Sequence, residues 1–330
     1  MLNAQFILAE HIAPKQWDDF VEQSPQGSLY ARQWYLSAVM PGWGAIIVRE
    51  GLLWRAVMPL RIRRKYGIAC ALQPAFSQYL GVLFAALSGN GRHIVHQKRL
   101  LLQALIAAIP SEIRLFSFNF SPDFDCFSPF LHGGFQINLR TNLFLSLQRP
   151  WENLLGDCST SILNHLKKAQ QNGLSCREGH AINVLSERML RYHFIRTVAE
   201  KRSLETLWVQ AQAKDKGFLL EIIGSNGDIQ CSGLFLIEKK KCVFVASALD
   251  KEKRHLGANS LLILEAIKKC QQMGLSELDF KGSMLVGVEQ FLWGFNPQQV
   301  LYWSISFNRL GLFENWVYRH VKRTDGVCPR

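Results

Sequence analysis

The same order of predicted elements occurs twice along the chain. Each half has two strand-like runs around a short turn, then an apolar helix, then another strand. In the first half these elements are, in order, 45–49, 53–60, 97–109 and 113–120. In the second half they are 219–223, 229–237, an additional strand at 242–249, the helix 258–273 and the strand 275–280. Because the second set follows the first by about 160–175 residues, the sequence predicts two copies of one arrangement of strands and helices.

The length of 330 residues also suits two domains, because a single hydrophobic core stops growing well before a chain becomes much longer. A predicted strand at 142–147 ends at Arg149-Pro150, so we place the boundary near 150, with domains 1–150 and 151–330. Further helices are predicted at 14–22, 31–39, 160–172, 184–201 and 312–322. The expected class is α/β, or α+β by another convention, with a mixed and mostly antiparallel sheet flanked by helices in each domain.

The chain is basic, with 38 Lys and Arg against 26 Asp and Glu and a net charge of +12. Such a balance favours an anionic partner: a phosphate-rich cofactor, a nucleic acid or an acidic membrane surface. The densest basic run contains Arg61, Arg63 and Lys65, which alternate and would share one side of a strand. That side would contact RNA phosphates, or its charges would prevent a solvated sheet edge from pairing with another chain. The run leaves both interpretations open.

Several classes of protein are not expected. None of the eight cysteines has the C-x-x-C spacing or the Cys/His spacing of a zinc site, so we predict no metal and reduced, buried thiols. The first residues have no basic start followed by a long apolar run, which argues against a signal peptide. No uninterrupted apolar stretch is long enough to span a membrane. A cytoplasmic protein is therefore predicted.

A basic loop before the helix 258–273 is a candidate phosphate site. Lys251, Lys253 and Arg254 precede Gly257, and Ala258 opens the helix. Free amide groups and a partial positive charge at a helix N-terminus suit a phosphate, and a glycine permits close approach of the backbone. An ordinary strand-to-helix turn with solvated charges is the alternative.

This loop resembles part of a known superfamily. Arg254-x-x-Gly257-Ala258-Asn259 is similar to the Q/R-x-x-G-x-G/A loop of GNAT acyltransferases, with Asn259 in place of the usual Gly or Ala. The resemblance implies that Arg254, Gly257, Ala258 and Asn259 hold the pyrophosphate of acyl-coenzyme A. It also implies that the strand 242–249 is splayed from its neighbour, with Ser247 near the acyl arm.

A longer match points to the FemAB-like proteins, which have tandem GNAT domains. Their ending DF-x-GS…G(V/L)-x-x-F(K)-x-x-FG resembles Asp279-Phe280-Lys281-Gly282-Ser283, then Gly287-Val288-Glu289-Gln290-Phe291, then Gly294-Phe295. Weaker similarities to the same family lie at 17–34, 74–81 and 160–173. Because they occur in the family's order over nearly the whole chain, the resemblance implies two tandem GNAT-like domains.

The resemblance also implies a reaction, in which an amine attacks the acyl carbonyl of a thioester or an ester. The expected function is an N-acyltransferase with acyl-coenzyme A as co-substrate and a small-molecule or peptide amine as acceptor. Asp279 and Glu289 are candidate bases, and Lys281, Ser283 and Phe291 are candidate substrate contacts. A Fem-type peptidyltransferase that uses aminoacyl-tRNA and a cell-wall precursor is the first alternative. A non-catalytic GNAT-fold module that binds nucleic acid or protein is the second.

Overall fold

A computed structural model of the protein describes residues 1–65, 67–282, 286–311 and 314–315. At Lys65 and Arg254 it describes the backbone alone. The strands are β1 (Leu2–Leu8), β2 (Gly44–Glu50), β3 (Leu53–Leu60), β4 (Arg63–Lys65), β5 (Ile68–Leu72), β6 (Leu83–Phe84), β7 (Ile113–Phe120), β8 (Gln136–Ser146), β9 (Ser175–Gly179), β10 (Gly217–Ile223), β11 (Ile229–Glu238), β12 (Lys241–Leu249), β13 (Glu277–Asp279) and β14 (Gln298–Asn308). The α-helices are α1 (Pro14–Gln23), α2 (Gln33–Val39), α3 (Gly91–Ala107), α4 (Ser128–His132), α5 (Trp151–Gly156), α6 (Thr160–Gln171), α7 (Asn183–Arg191), α8 (Val198–Ala213), α9 (Ala258–Gln272) and α10 (Val286–Trp293).

The chain forms two compact units. Unit 1 contains Met1–Arg140 and the chain from Tyr302 onward, and unit 2 contains Thr141–Leu301. Both boundaries fall inside strands, because β8 and β14 each contribute residues to both units. Unit 2 is therefore continuous in sequence, whereas unit 1 is not. The division into domains 1–150 and 151–330 stays a prediction, and the units differ from it in assigning the chain from Tyr302 onward to unit 1.

One sheet of unit 1 is antiparallel and has the order β1-β2-β3-β6. Helix α3 packs against its first three strands. Trp17 of α1 is fully buried, and its ring centroid lies 4.8 Å from that of Trp43. Its indole N–H donates a hydrogen bond of 2.7 Å to the carbonyl of Ala31. This polar contact lets the large side chain be buried without an unsatisfied donor.

The other sheet strands of unit 1 follow the order β4-β5-β7-β14. β5 and β7 are parallel, and the remaining described pairs are antiparallel. A cluster of phenylalanine rings with edge-to-face and stacked contacts lies on and around β7: Phe116, Phe118, Phe120, Phe124, Phe130, Phe135 and Phe307. Many of the aromatic residues of this chain thus form its core.

The strands of unit 2 have the order β8-β13-β12-β11-β10-β9. The described pairs are antiparallel except β12 and β13, which are parallel. α9 packs against β10, β11 and β12, and α6 packs against α9. The inward face expected for α9 is confirmed, because Leu262, Ala266, Ile267 and Cys270 are all buried. The core of unit 2 is formed around this helix.

Each unit contains the same local arrangement, in which two parallel strands are separated in sequence by a long helix. In unit 1 these are β5, α3 and β7, and in unit 2 they are β12, α9 and β13. An antiparallel hairpin precedes each set: β2 with β3, and β10 with β11. The predicted fold class, a mixed and mostly antiparallel sheet flanked by helices, is confirmed in both units.

The predicted helix 184–201 is wrong as a single helix. α7 ends at Arg191 and α8 begins at Val198, after Thr197, whose side chain accepts from the N–H of Glu200. The break occurs because His193 has a left-handed backbone, with φ 61°. The helix expected at 97–109 begins earlier, at Gly91, where Asn90 caps it. Most of the helix expected at 312–322 lies outside the described residues.

Candidate functional site

Two parallel strands of unit 2 separate after a short stretch of pairing. β12 pairs with β13 only from Lys241 to Val243, which lies opposite Asp279. β12 then continues to Leu249, and within the described residues this part pairs with β11 alone, on its other side. The splay expected for the strand 242–249 is therefore present in the described residues. It leaves one edge of the second half of β12 without a strand partner, so backbone groups of that edge face the gap.

A bulge in β12 lies at the point where the strands separate. Leu234 of β11 is opposite Ala246, and Phe235 is opposite Phe244, so Val245 is the extra residue. A bulge of this kind bends its strand and changes the direction of the backbone groups beside it. The carbonyl of Val245 consequently accepts a hydrogen bond from a side chain, as follows.

Lys281 spans the gap between the two strands. Its Nζ donates to the carbonyl oxygen of Val245 at 3.1 Å. Its backbone N–H donates to Oδ1 of Asp279 at 2.7 Å, and its φ is 65°. A left-handed backbone at a non-glycine residue costs about 1–3 kcal/mol and is concentrated at functional sites. The turn after β13 is thus strained in a way that directs the lysine side chain to the bulge.

Asp279 is the residue that holds this turn. It is only 4% exposed, and its Oδ1 accepts from Nδ2 of Asn142 at 2.9 Å as well as from the Lys281 backbone. Burial raises the pKa of Asp279 to about 6, while these hydrogen bonds and the charge of Lys281 act in the opposite direction. Its contacts are those of a positioning residue, and the role of catalytic base predicted for it stays a prediction.

The ammonium of Lys281 is also perturbed. Its withdrawal from water lowers the pKa of Lys281 to about 8, and the nearby charge of Asp279 limits the effect. At pH 7 the carboxyl of Asp279 is therefore mostly ionised and the amine of Lys281 mostly protonated. The splay thus contains a fixed positive charge beside open backbone groups. Two such perturbed groups in contact are typical of a functional site.

The remaining residues predicted near the acyl group lie around this pair. Ser247 is half-buried, two residues beyond Val245 and opposite Gly233. Glu289 and Phe291 are half-buried on α10, where the ring of Phe291 meets that of Phe295 edge-to-face. Ser283 lies outside the described residues. The structure thus joins Lys281 to Asp279 directly, and it gives no described bond from Glu289 or Phe291 to either of them.

The predicted phosphate loop has a different environment from the one expected. Gly257 has φ 83°, and a Cβ at this position would lie 2.2 Å from the carbonyl oxygen of His165 on α6. Ala258 is completely buried, and Ser260 hydrogen-bonds Nδ1 of His165 at 3.2 Å. The glycine is therefore required for the close approach of α6. The sequence analysis expected this glycine to permit the close approach of a phosphate, whereas in the structure it permits the close approach of a helix.

The other residues of this loop make contacts within unit 2. Oδ1 of Asn259 accepts from Sγ of Cys231 at 3.1 Å. Lys253 lies 3.4 Å from Asp228, and the ammonium of Lys251 lies 4.5 Å from the ring centre of Tyr192. Arg254 belongs to a short helical segment, Lys251–Leu256, and its side chain lies outside the described residues. The cofactor-binding role of these residues stays a prediction.

The sequence analysis missed a group of polar side chains on the opposite face of β11. Cys231 faces α9 through its bond to Asn259, so its neighbours Gln230 and Ser232 face the other side. Both are buried, and α7 packs against this strand. Among the described residues, Oε1 of Gln230, Oγ of Ser232 and Nη1 of Arg188 on α7 are buried without a hydrogen-bond partner. Buried polar atoms without partners need an explanation, such as an ordered water, an ion or a bound ligand.

The described residues contain neither a candidate metal site nor a helix that could span a membrane. No group of three or more His, Cys, Asp or Glu side chains is placed to hold a metal ion in that part of the chain. None of the described helices has the length and apolar composition needed to cross a membrane. Each of the seven cysteines that the structure describes is a free thiol.

Comparison of the structure with solved structures identifies the fold. FemX is similar over 96% of this chain and 100% of its own, with a TM-score of 0.62 and 12% identity. A tandem GNAT protein from the clavulanic acid biosynthesis pathway is similar over 94% of this chain and 99% of its own, with a TM-score of 0.61 and 12% identity. The chain has a tandem GNAT fold.

A third solved structure is similar with a lower TM-score. It is L-PGS from Bacillus licheniformis, which is similar over 96% of this chain and 98% of its own, with a TM-score of 0.55 and 10% identity. The sequence itself matches no family model and no curated protein. At these identities the likeness shows the fold alone, and the function has to be argued from the site.

Proposed function

We propose that unit 2 is an N-acyltransferase that moves an activated acyl group to an amine. The observation that carries the proposal is the splay between β12 and β13, with the bulge at Val245 and the ammonium of Lys281 at its base. An acyl arm lying along the open edge of β12 hydrogen-bonds the free backbone groups there. This contact fixes the acyl carbonyl in place, and alignment of two substrates is a large part of what such an enzyme supplies.

Lys281 stabilises the charge that develops in this reaction. When an amine attacks the acyl carbon, its carbonyl oxygen becomes negative. A preorganised positive group in a site that excludes water stabilises this oxygen much more than water does. The bond from Nζ of Lys281 to Val245 holds the ammonium in the splay before substrate binds. Asp279 maintains the turn through its bond to the Lys281 backbone, and its negative charge favours the protonated form of Lys281.

The acceptor amine approaches from the α7 face of β11 and β12. Arg188, Gln230 and Ser232 supply buried polar atoms without partners on this face of the described structure. They suit an acceptor that carries polar groups beside its amine, such as a small molecule or a peptide. The attacking amine gives up a proton to water or to Glu289, which is half-buried on α10. As the new bond to nitrogen forms, the bond from the acyl carbon to the sulfur or oxygen of the donor breaks, and the donor leaves as its thiol or alcohol.

Acyl-coenzyme A is the proposed donor. Lys251 and Lys253 lie beside the start of α9, and coenzyme A carries several phosphate groups that such a basic loop attracts. The phosphates then contact the loop 251–256 rather than the start of α9, because Gly257 and Ala258 are covered by α6. The predicted substrate contact of Phe291 would be to the acyl group, through its half-buried ring.

A second candidate donor is an aminoacyl ester of tRNA. The observation that favours it is the same burial of Gly257 and Ala258, since buried residues at the start of α9 offer little surface to a pyrophosphate. An ester at the end of an RNA strand needs the splay and the positive charge, but it has no pyrophosphate to place at a helix N-terminus. The net charge of +12 suits such a donor as well.

The test is a transfer assay with both donors on the purified full chain. Acetyl-coenzyme A is incubated with a panel of amines, and release of the free thiol is followed. Transfer of a radiolabelled amino acid from charged tRNA to the same amines is measured in parallel. Melting temperature with and without each donor reports binding independently of turnover, because a ligand of the native state raises it.

Lys281→Met and a matched control, Lys241→Met, identify the site. Lys241 lies at the start of β12, and its side chain is 61% exposed beside Glu277. We expect Lys281→Met to lose transfer and Lys241→Met to retain it. If neither donor raises the melting temperature or reacts with any amine, the enzymatic proposal is wrong and a non-catalytic binding module is the remaining interpretation.

A further inference from the structure

The sheet edges of this protein are protected unequally. β4, at one edge, consists of the three basic residues Arg63–Lys65. β6 is only two residues long, and β9 contains Arg177 and Glu178. Short edges and charged edges are the usual means by which proteins prevent their sheets from pairing with another chain. Three of the edge strands in the described residues therefore have recognisable protection.

The edge strand β1 has neither of these protective features. It forms an edge of its sheet, is seven residues long and has the sequence LNAQFIL, with no charged residue and no proline. Its pairing with β2 runs without a bulge from Leu2 opposite Glu50 to Leu8 opposite Gly44. A regular strand of this length presents a row of backbone donors and acceptors on its outer side.

The outer side of β1 is open in the described structure. A cavity of about 610 Å³ lies along Gln5–Leu8 and is also lined by His11 and Arg49. Asn3 and Gln5 are exposed, and Leu8 remains 43% exposed. The ring of Phe6 is half-buried and lies beside Gly44 of β2. An extended chain placed in this groove would pair with β1 and cover apolar surface at the same time.

The sequence of β1 is complementary to itself. Two copies in antiparallel orientation, centred on Gln5, place Ala4 opposite Phe6 and Leu2 opposite Leu8 on one face. On the other face Asn3 is opposite Ile7, and Gln5 is opposite its own copy. Every residue of the strand is then paired, Ala4 faces the larger Phe6, and no like charges meet. Such a contact obeys twofold symmetry, which closes after two copies.

We propose that β1 is a dimerisation edge, at which two copies of this chain join their four-stranded sheets through an antiparallel β1–β1 pair. The proposal rests on the sheet edge alone and is independent of the proposed function. A contact formed mainly by one pair of strands is small, so the dimer is in equilibrium with the monomer, with a dissociation constant on the order of micromolar.

The experiment uses charge at the centre of the pair. Gln5→Lys and Gln5→Glu each place two like charges directly opposite one another in the dimer, about 5 Å apart at Cβ. Because Gln5 is exposed, neither change affects the monomer core. Ser175→Lys is the control, since Ser175 is an exposed residue at the start of the edge strand β9. Sedimentation velocity over about 1–200 μM of full-length protein gives the mass of each variant and its concentration dependence.

We expect the wild-type chain and Ser175→Lys to dimerise alike, and each Gln5 variant to weaken dimerisation at least tenfold. An equimolar mixture of Gln5→Lys and Gln5→Glu should regain dimers, because the two charges are then opposite in sign. Circular dichroism confirms that the variants are folded. A monomeric wild type over the whole range, unchanged dimerisation of the Gln5 variants, or a mixture that stays monomeric would each overturn the proposal.

Discussion

The ammonium of Lys281 lies 3.1 Å from the carbonyl oxygen of Val245 and thereby connects the turn after β13 to the bulge in β12. A hydrogen bond that involves a charged group contributes about 1.5–3 kcal/mol. It joins two strands at the place where their backbones have stopped pairing. The splay is therefore held open with a fixed geometry, which is what a site for an acyl carbonyl requires.

Replacement of Lys281 should therefore affect turnover more than folding. We expect Lys281→Met to reduce kcat/KM for acyl transfer by about 100–1000-fold, the usual effect of removing one group that stabilises an oxyanion. Lys281→Arg keeps the charge and should retain part of the activity. Steady-state kinetics on the two variants provide the measurement. Equal losses in both would show that the exact shape of lysine, and not its charge, is needed.

The pH dependence of the reaction should follow the charge of Lys281. Its pKa of about 8 means that kcat/KM falls as the pH rises through this value. Asp279→Asn removes the negative charge that favours protonated Lys281, so it should move this fall to lower pH. Lys281→Arg should abolish the fall, because arginine stays protonated. A wild-type profile without an alkaline decrease would argue against a role for the ammonium.

The stability of the protein should depend on pH through Asp279. Its pKa is about 6 in the folded protein against 3.8 as the ordinary value, so the native state binds more protons than the unfolded state between these pH values. The contribution of this group to the free energy of unfolding therefore decreases as the pH rises from 3.8 to 6. The change amounts to about 3 kcal/mol. Asp279→Asn should lack it, and urea unfolding of both proteins at several pH values makes the comparison.

Two glycines with similar backbones should differ in their tolerance of alanine. Gly257 and Gly227 have φ of 83° and 82°, but only at Gly257 does a new Cβ meet backbone, the carbonyl of His165. Gly227→Ala should cost about 1–2 kcal/mol, from the left-handed backbone alone. Gly257→Ala should cost about 2–5 kcal/mol, since α6 also has to move. Similar unfolding free energies for the two variants would contradict the packing of α6 described above.

Alanine variants of Ser186 and Ser232 should have different effects, the first on the stability of the fold and the second on binding of the acceptor. Oγ of Ser186 donates to Glu205 at 2.7 Å, so Ser186→Ala should destabilise the protein by about 1 kcal/mol. Oγ of Ser232 has no partner in the described structure, so Ser232→Ala should leave the unfolding free energy unchanged or slightly raised. If this hydroxyl meets the acceptor, the KM for the amine rises in Ser232→Ala alone. Thermal unfolding and steady-state kinetics with varied amine test both parts.

The local elements of the fold were predictable where short-range chemistry decides them. The turn Ser225-Asn226-Gly227-Asp228 has the residues of a hairpin, and β10 and β11 pair around it. The buried face of α9 follows from its helical spacing. His193 is different, because no glycine or proline marks the position where α7 ends. Its left-handed backbone belongs to a helix C-terminal turn, in which the N–H of Phe194 bonds the carbonyl of Met189, and a periodic pattern does not mark such a turn at a histidine.

The sequence predicted which residues belong to the candidate site, but not how most of them are arranged. The matching motif drew attention to Asp279 and Lys281, and these two residues are indeed in contact. The motif at Gly257 predicted close approach of a phosphate. The group that approaches this glycine is the carbonyl of His165, more than 90 positions earlier in the chain. Gln230 and Ser232 carried one usable signal, because two polar residues alternate at the start of a strand that is apolar from there to Ile237. Arg188 carried none, as its position opposite them depends on the packing of α7.

The division of the chain into units has a consequence for its synthesis. Unit 2 is one continuous segment, Thr141–Leu301, whereas the β7 strand of unit 1 needs its neighbour β14, where Phe120 pairs with Trp303. During translation the first 140 residues leave the ribosome long before that neighbour exists. The phenylalanine-rich β7 therefore keeps one edge unpaired until the chain has been synthesised as far as β14. Nascent chains stalled before β14 should for this reason be the ones that chaperones hold.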